Sequence, residues 1–128
     1  MKNINNYILE KFKISSKNIK TNQYNYHPET NEELFKIITQ LIKERGEDAN
    51  LNDIDTSKIT NMAFIFVNSK FNGDISKWDV SNVKDMYGMF QNSEFNGDIS
   101  EWNVSNVKDM KYIFNDCPLE KNPPKWYK

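Results

Sequence analysis

Apolar positions recur along the chain with a period of 24 residues. Residues 71–94 read FNGDISKWDVSNVKDMYGMFQNSE and residues 95–118 read FNGDISEWNVSNVKDMKYIFNDCP, with 15 of the 24 positions identical. Residues 47–70 are less alike but keep their apolar side chains in register. Leu51 matches Ile75, Ile54 matches Trp78, Ile59 matches Val83, Met62 matches Met86, Ile65 matches Met89 and Phe66 matches Phe90. A partial unit, 119–128, follows, in which Leu119 matches Phe95 and Trp126 matches Trp102. A unit this short cannot bury a core by itself, so neighbouring units must stack.

Within a unit the spacing changes character. Ile75, Trp78 and Val80 follow L-x-x-L-x-L, the leucine-rich-repeat pattern of an inward-facing turn and short strand. Val83, Met86, Met89 and Phe90 then step by three, three and one, which is helical spacing. Ser81 or Asn82 stands where an N-cap would accept an orphan N–H, and Asp85 stands in the first turn. Asn72-Gly73 supplies a turn, since both residues tolerate positive φ. The pattern predicts strand, turn, short helix (in part 3₁₀) and turn in each unit.

Residues 1–46 do not repeat. Asn5 or Asn6 could cap a helix bearing Ile8, Leu9 and Phe12, and the loose alternation from Ile19 to Tyr26 suggests a strand. A clearer helix begins after Pro28-Glu29. Thr30-x-x-Glu33 is a capping box, Leu34, Ile37, Ile38, Leu41 and Ile42 form one apolar stripe, and Gly46 follows Lys43 and Arg45 as a natural stop. The expected fold is therefore α/β: a short leucine-rich-repeat-like solenoid over residues 47–128, in units 47–70, 71–94, 95–118 and 119–128, with residues 1–46 as an α-helical N-terminal cap. Trp126 and Tyr127, after Pro123-Pro124, would finish the other end.

Composition narrows the function. The 128 residues are 38% hydrophobic and 27% charged, with a mean hydropathy of -0.80. Those values raise disorder as a possibility, and the 13% aromatic content argues against it. One Cys excludes an internal disulfide framework, and one His excludes a His-rich metal site. The net charge of -1 divides into +3 over residues 1–29, with five lysines (Lys2, Lys11, Lys13, Lys17 and Lys20), and -4 over the remainder. Nucleic-acid binding is not expected except through that basic N-terminal region. No stretch approaches the length of a signal-peptide core or a membrane span, and Lys2 stands where N-myristoylation requires glycine. Asn103-Val104-Ser105 matches a glycosylation acceptor, which means little without a secretory route. A cytoplasmic monomer is expected, with no membrane contact.

Chemistry-bearing constellations are scarce. His27 precedes Pro28 with no nucleophile tied to it by any motif, and Cys117 takes the small inward position of Ser69 and Ser93. Asp53-x-Asp55-x-Ser57 begins like a calcium loop, but Lys58 and Phe64 stand where the loop needs glycine and glutamate. Glycine-rich phosphate cradles are absent. The recurring Trp78, Trp102 and Trp126, and the methionines 62, 86, 89 and 110, fall on inward positions and read as core. Catalytic, metal and cofactor residues are thus all expected to be none. Strand residues alternate sides, so the neighbours of the inward positions should face outward in three columns. These are Asp53, Lys77 and Glu101, then Asp55, Asp79 and Asn103, then Ser57, Ser81 and Ser105.

The run W-x-V-S-N-V-x-x-M-x-x-M/I-F-x-x-S/C-x-F/L, at 78–95 and 102–119, resembles the BspA-like leucine-rich repeat, closest to the variant of mycoplasma surface lipoproteins. The resemblance covers residues 47–128 and implies a protein-binding solenoid, often displayed for adhesion. Heavy use of Asn, Lys and Ile fits an AT-rich bacterial or phage genome. The leading expectation is a non-enzymatic protein–protein interaction module that uses the strand-side columns, the N-terminal cap, or both. Its competitors are a phage or mobile-element inhibitor of a host defence complex and a fragment of a bacterial surface adhesin.

Overall fold

The computed structural model describes residues 24–128. The proposed first helix at Ile8, Leu9 and Phe12, the five N-terminal lysines and most of the proposed strand from Ile19 lie outside the described residues.

One α-helix is present among the described residues, α1, Asn31–Arg45. The Thr30 hydroxyl accepts the Glu33 N–H at 3.1 Å, and the Glu33 carboxylate reaches back to the Glu29 N–H at 2.8 Å. The second bond lands one residue before the position usual for a capping box. Glu32 and Glu33 lie at the N-terminal end of the dipole and Lys43 and Arg45 at the other, and Gly46, at φ 100°, donates to the Ile42 carbonyl to end the helix. Leu34, Ile37, Ile38 and Leu41 are buried and join the core of the repeats.

The repeats do not form the expected α/β solenoid. No sheet is present among the described residues, only four isolated parallel bridges, Tyr26 with Ile54, Asn50 with Asp74, Asn61 with Asp85, and Asp85 with Asp109. Residues 83–90 are not a helix either, but a succession of turns. Two physical causes override the apolar spacing. First, Gly88 and Asn92 sit at φ 58° and 55°, a left-handed backbone that no right-handed helix contains. Second, side chains intercept the N–H groups that a strand or helix would need. Asp74 Oδ1 accepts from Ser76, Asp79 Oδ1 from Ser81, Asp85 Oδ1 from Tyr87, and Ser93 Oγ from Phe95. Each of these corners is an Asx or Ser turn, and each bends the chain. Asp85 and Ser81 thus serve turns rather than a helix N-terminus.

The units nevertheless lie side by side. The N–H groups of Met62, Phe64, Phe66 and Asn68 donate to the carbonyls of Asp85, Tyr87, Met89 and Gln91 at 2.8–3.0 Å. One unit further on, Met86, Gly88, Phe90 and Asn92 donate in the same way to Asp109, Lys111, Ile113 and Asn115 at 2.8–3.0 Å. Alternate N–H groups are therefore paired between units, while those of Ile65, Val67, Met89 and Gln91 turn back to Met62, Phe64, Met86 and Gly88 of their own unit. Asn72-Gly73 does turn, but not through positive φ. Gly73 is needed because a Cβ there would lie 1.9 Å from the Ala49 carbonyl oxygen of the adjacent unit.

The core is a set of aromatic columns. Trp78, Trp102 and Trp126 stack at centroid spacings of 6.5 and 6.4 Å, and Phe66, Phe90 and Phe114 at 5.5 and 5.9 Å. Each indole N–H donates to a carbonyl of the preceding unit, Leu51, Ile75 and Ile99 in turn. A large apolar ring is thus buried without stranding its one donor. Cys117 is free and buried, with its thiol directed to the Phe95 carbonyl at 3.2 Å.

Candidate protein-binding surface

The three polar columns expected to bind a partner are largely occupied in building the molecule. Asp53 is clasped by Arg45 through two bonds of 2.9 Å, and a third bond of 2.9 Å comes from the Asn25 amide. Burial pushes the Asp53 carboxyl up, but the bonds from Arg45 and Asn25 outweigh it and hold the group below the usual carboxylate range. Lys77 and Glu101 remain exposed in that column.

The second and third columns form one turn repeated three times. Asp55 Oδ1 accepts from the Ser57 N–H, Asp79 Oδ1 from Ser81, and Asn103 Oδ1 from Ser105, at 3.0, 3.0 and 3.1 Å. Asn82 and Asn106 tie the same corners together by donating to the Ser57 and Ser81 carbonyls of the preceding unit. The structure therefore brings these six residues into one stacked edge, and spends one side-chain oxygen each of Asp55, Asp79 and Asn103 on the serine N–H groups. The Asp55 carboxylate also lies 3.4 Å from His27 Nδ1, while His27 Nε2 is buried with no partner among the described residues. Among the described residues, no group of three or more His, Cys, Asp or Glu side chains is placed to hold a metal ion, and no helix is long and apolar enough to cross a membrane.

A different set of residues stands out on the surface. Phe64 and Tyr112 are 44% and 48% exposed, and among the described residues they are two of the three large hydrophobic side chains so exposed. The half-buried Tyr87 joins them, edge to face, at centroid distances of 5.3 Å to Phe64 and 5.5 Å to Tyr112. Lys111 lies over the Tyr112 ring at 5.8 Å. The third exposed ring, Phe35 on α1, borders a cleft between that helix and the first unit.

The backbone under this aromatic strip is unusual. Phe64, Gly88 and Tyr112 share one repeat position and one conformation, φ 60°, 58° and 61°. Glycine adopts it freely, whereas a bulky L side chain there costs about 1–2 kcal/mol. The strip was not among the sequence-derived candidates. Its only trace in the sequence is the substitution pattern Phe, Gly, Tyr at a position 24 residues apart, where the glycine marks the backbone need and the aromatics ignore it.

Geometry alone thus defines a class: thin 24-residue turn units, stacked in parallel and closed at one end by a helix. A family model described as "Mycoplasma protein of unknown function, DUF285" matches residues 29–127, and the chain belongs to that family. No curated protein and no solved structure matches the chain.

Proposed function

We propose that the chain is a non-enzymatic protein-binding module and that the strip of Phe64, Tyr87 and Tyr112 is its contact surface. The observation that carries this reading is the placement of two exposed aromatic rings on left-handed backbone. Strain of this kind lowers stability by about as much as the packing of a nearly half-exposed ring returns, so folding gains little from the two aromatics and a role outside folding accounts for them. Aromatic side chains are also the commonest energetic anchors of protein interfaces. The resemblance of the repeat to BspA-like arrays supports the same class of function. The state of Cys117 supports it too, since a buried thiol bonded to a carbonyl is poorly disposed to act as a nucleophile.

The test compares three immobilised chains for capture of a protein from native lysate: wild type, Phe64→Gly/Tyr112→Gly, and a charge reversal at Asp55, Asp79 and Glu101. Wild type and the charge-reversal variant are expected to retain one partner that the double glycine variant loses with its thermal midpoint intact. Equal capture by the glycine variant would remove the strip from the interface. Loss in the charge-reversal variant alone would return the site to the polar columns.

A further inference from the structure

We infer that Asn96 is a site of spontaneous covalent modification, at which the Gly97 backbone nitrogen attacks the Asn96 side-chain amide and turns it into a carboxylate. The same residue pair at Asn72-Gly73 is held back from the reaction by the stack. The inference is independent of the aromatic strip and of any partner.

The sequence sets up a comparison within one chain. Asn-Gly occurs twice, each time inside Phe-Asn-Gly-Asp-Ile-Ser, at 71–76 and 95–100. Both asparagines are exposed. A glycine after asparagine leaves the main-chain nitrogen unshielded by a Cβ and lets the chain swing toward the side chain. Local sequence and exposure thus give the two sites equal reactivity, and their hydrogen bonding sets them apart.

Asn72-Gly73 is clamped on both sides. The Asn72 N–H donates to the Glu47 carbonyl at 2.7 Å, the Asp74 N–H donates to the Ala49 carbonyl at 2.9 Å, and the Asp74 carbonyl accepts from the Leu51 N–H at 2.9 Å. Asn72 Oδ1 accepts the Asn96 N–H at 2.8 Å, which fixes the side-chain amide as well. None of the three backbone bonds recurs at 96–98 among the described residues, so that single bond to a side chain ties the second turn to the unit before it. The Asn96 side chain has no hydrogen-bond partner among the described residues. Glu120, its counterpart in the partial unit, ends a 3₁₀ turn, Pro118–Glu120, and donates its N–H to the Cys117 carbonyl at 2.8 Å instead. A cleft of about 320 Å³ beside the turn, lined in part by Asn96, Gly97, Leu119 and Asn122, gives the amide room to swing and admits water.

The reaction balances with water alone. A hydroxide ion takes the Gly97 N–H proton, and the nitrogen forms a bond to Asn96 Cγ. The Cγ–Nδ2 bond breaks, and the departing nitrogen takes a proton from water, leaves as ammonia and restores the hydroxide. Water then opens the cyclic imide. Breaking its bond from nitrogen to Cγ gives aspartate, and breaking the bond to the main-chain carbonyl carbon gives isoaspartate. One water is consumed and one ammonia is released. Either product sets a carboxylate two residues from Asp98. Isoaspartate also lengthens the main chain by one carbon, where even a Cβ on Gly97 would lie 2.7 Å from the Phe95 ring.

The test incubates the full chain, folded, in mildly alkaline buffer beside the same chain in concentrated urea, and follows both by peptide mapping with mass spectrometry. Cleavage after lysine puts Asn72 in residues 71–77 and Asn96 in residues 85–108, so each is read separately. In the folded chain Asn96 should convert about tenfold or more faster than Asn72, whose clamp must open first. In urea the two rates should agree within about twofold, since no clamp remains. Both aspartate and isoaspartate should form, the latter read by enzymatic methylation. Equal rates in the folded chain overturn the inference, as does a folded Asn96 that stays intact while the urea sample converts. A difference that persists in urea removes the stack as its cause, and aspartate without isoaspartate removes Gly97 as the attacking group.

Discussion

Phe64, Gly88 and Tyr112 make one conformation carry three different side chains, and the differences are measurable. Converting Phe64 or Tyr112 to Gly relieves a left-handed backbone while giving up a ring that is nearly half exposed. The two effects oppose each other at about 1 kcal/mol each, so urea midpoints should move little or rise. Gly88→Ala has no such offset. Its new Cβ would lie 2.6 Å from the Phe64 ring on a backbone that already disfavours it, so a loss of about 1–3 kcal/mol is expected. A neutral Gly88→Ala would contradict the left-handed turn. Asp53 sets a pH dependence at the same scale. Its carboxyl is depressed in the folded chain, so its contribution is fully present above about pH 4, the unfolded value, and is lost as pH falls through the lower folded value. Asp74, depressed by bonds from the Ser76 hydroxyl and backbone, acts in the same direction. Asp53→Asn should therefore lower stability at neutral pH and flatten its decline below pH ~4 in acid titrations followed by circular dichroism. An unchanged acid limb would mean that the Arg45 clasp adds nothing over solvent.

At the scale of elements, the turns are the unit of construction, and their oxygens are the sensitive atoms. Asp79→Ala removes the acceptor of the Ser81 N–H and should cost about 0.5–1.5 kcal/mol, while Asp79→Asn should be nearly neutral. The repeat makes that comparison itself, because Asn103 fills the same role with a neutral oxygen. Equal losses for both variants in chemical denaturation would show that charge, not the turn, is at stake. These turns also explain what could be read in the sequence and what could not. Helix α1 was legible from Thr30 to Gly46 because cap, stripe and stop signals agree, and nothing competes with its i to i−4 bonds. The 24-residue period and the inward set were legible too, since burial follows the apolar positions whichever backbone carries them. The class of backbone was not. Steps of three, three and one fit a helix, but they equally fit a coil whose N–H groups point to the next unit. Only Asp79 and Asp85, read as N–H acceptors rather than as a binding and a helix-start residue, signal the difference. The apolar pattern put the candidate binding residues on turn corners and did not single out Phe64 and Tyr112, whose exposure depends on a left-handed turn that apolar spacing does not encode.

At the scale of the whole molecule, the stack has two chemically different ends. At the first, α1 buries Leu34, Ile37, Ile38 and Leu41 against the repeats, and Asn31 occupies the Asn61 and Ala63 carbonyls. At the other, the N–H groups of Met110, Tyr112 and Phe114 have no partner among the described residues. A repeat array transmits stability only between neighbours, so each end is held by what covers it. Deleting residues 1–46 should uncover both an apolar surface and a row of acceptors: the carbonyls of Asn61, Ala63 and Ile65 lie one repeat-step from those that already pair within the stack. The truncated chain would then carry donors at one end and matching acceptors at the other. An interface between two unlike surfaces does not close on itself when the units translate rather than rotate, and it propagates into open filaments. The expected product of the deletion is therefore an elongated, concentration-dependent assembly, visible by electron microscopy and by light scattering after gel filtration, rather than a closed dimer or an amorphous precipitate. The single substitution Asn31→Ala frees two of these carbonyls, those of Asn61 and Ala63, while leaving the apolar face covered. Assembly of this variant would assign the driving force to backbone pairing, and a monomer would assign it to the uncovered apolar face. A truncated chain that remains folded and monomeric would show that α1 does not close the stack.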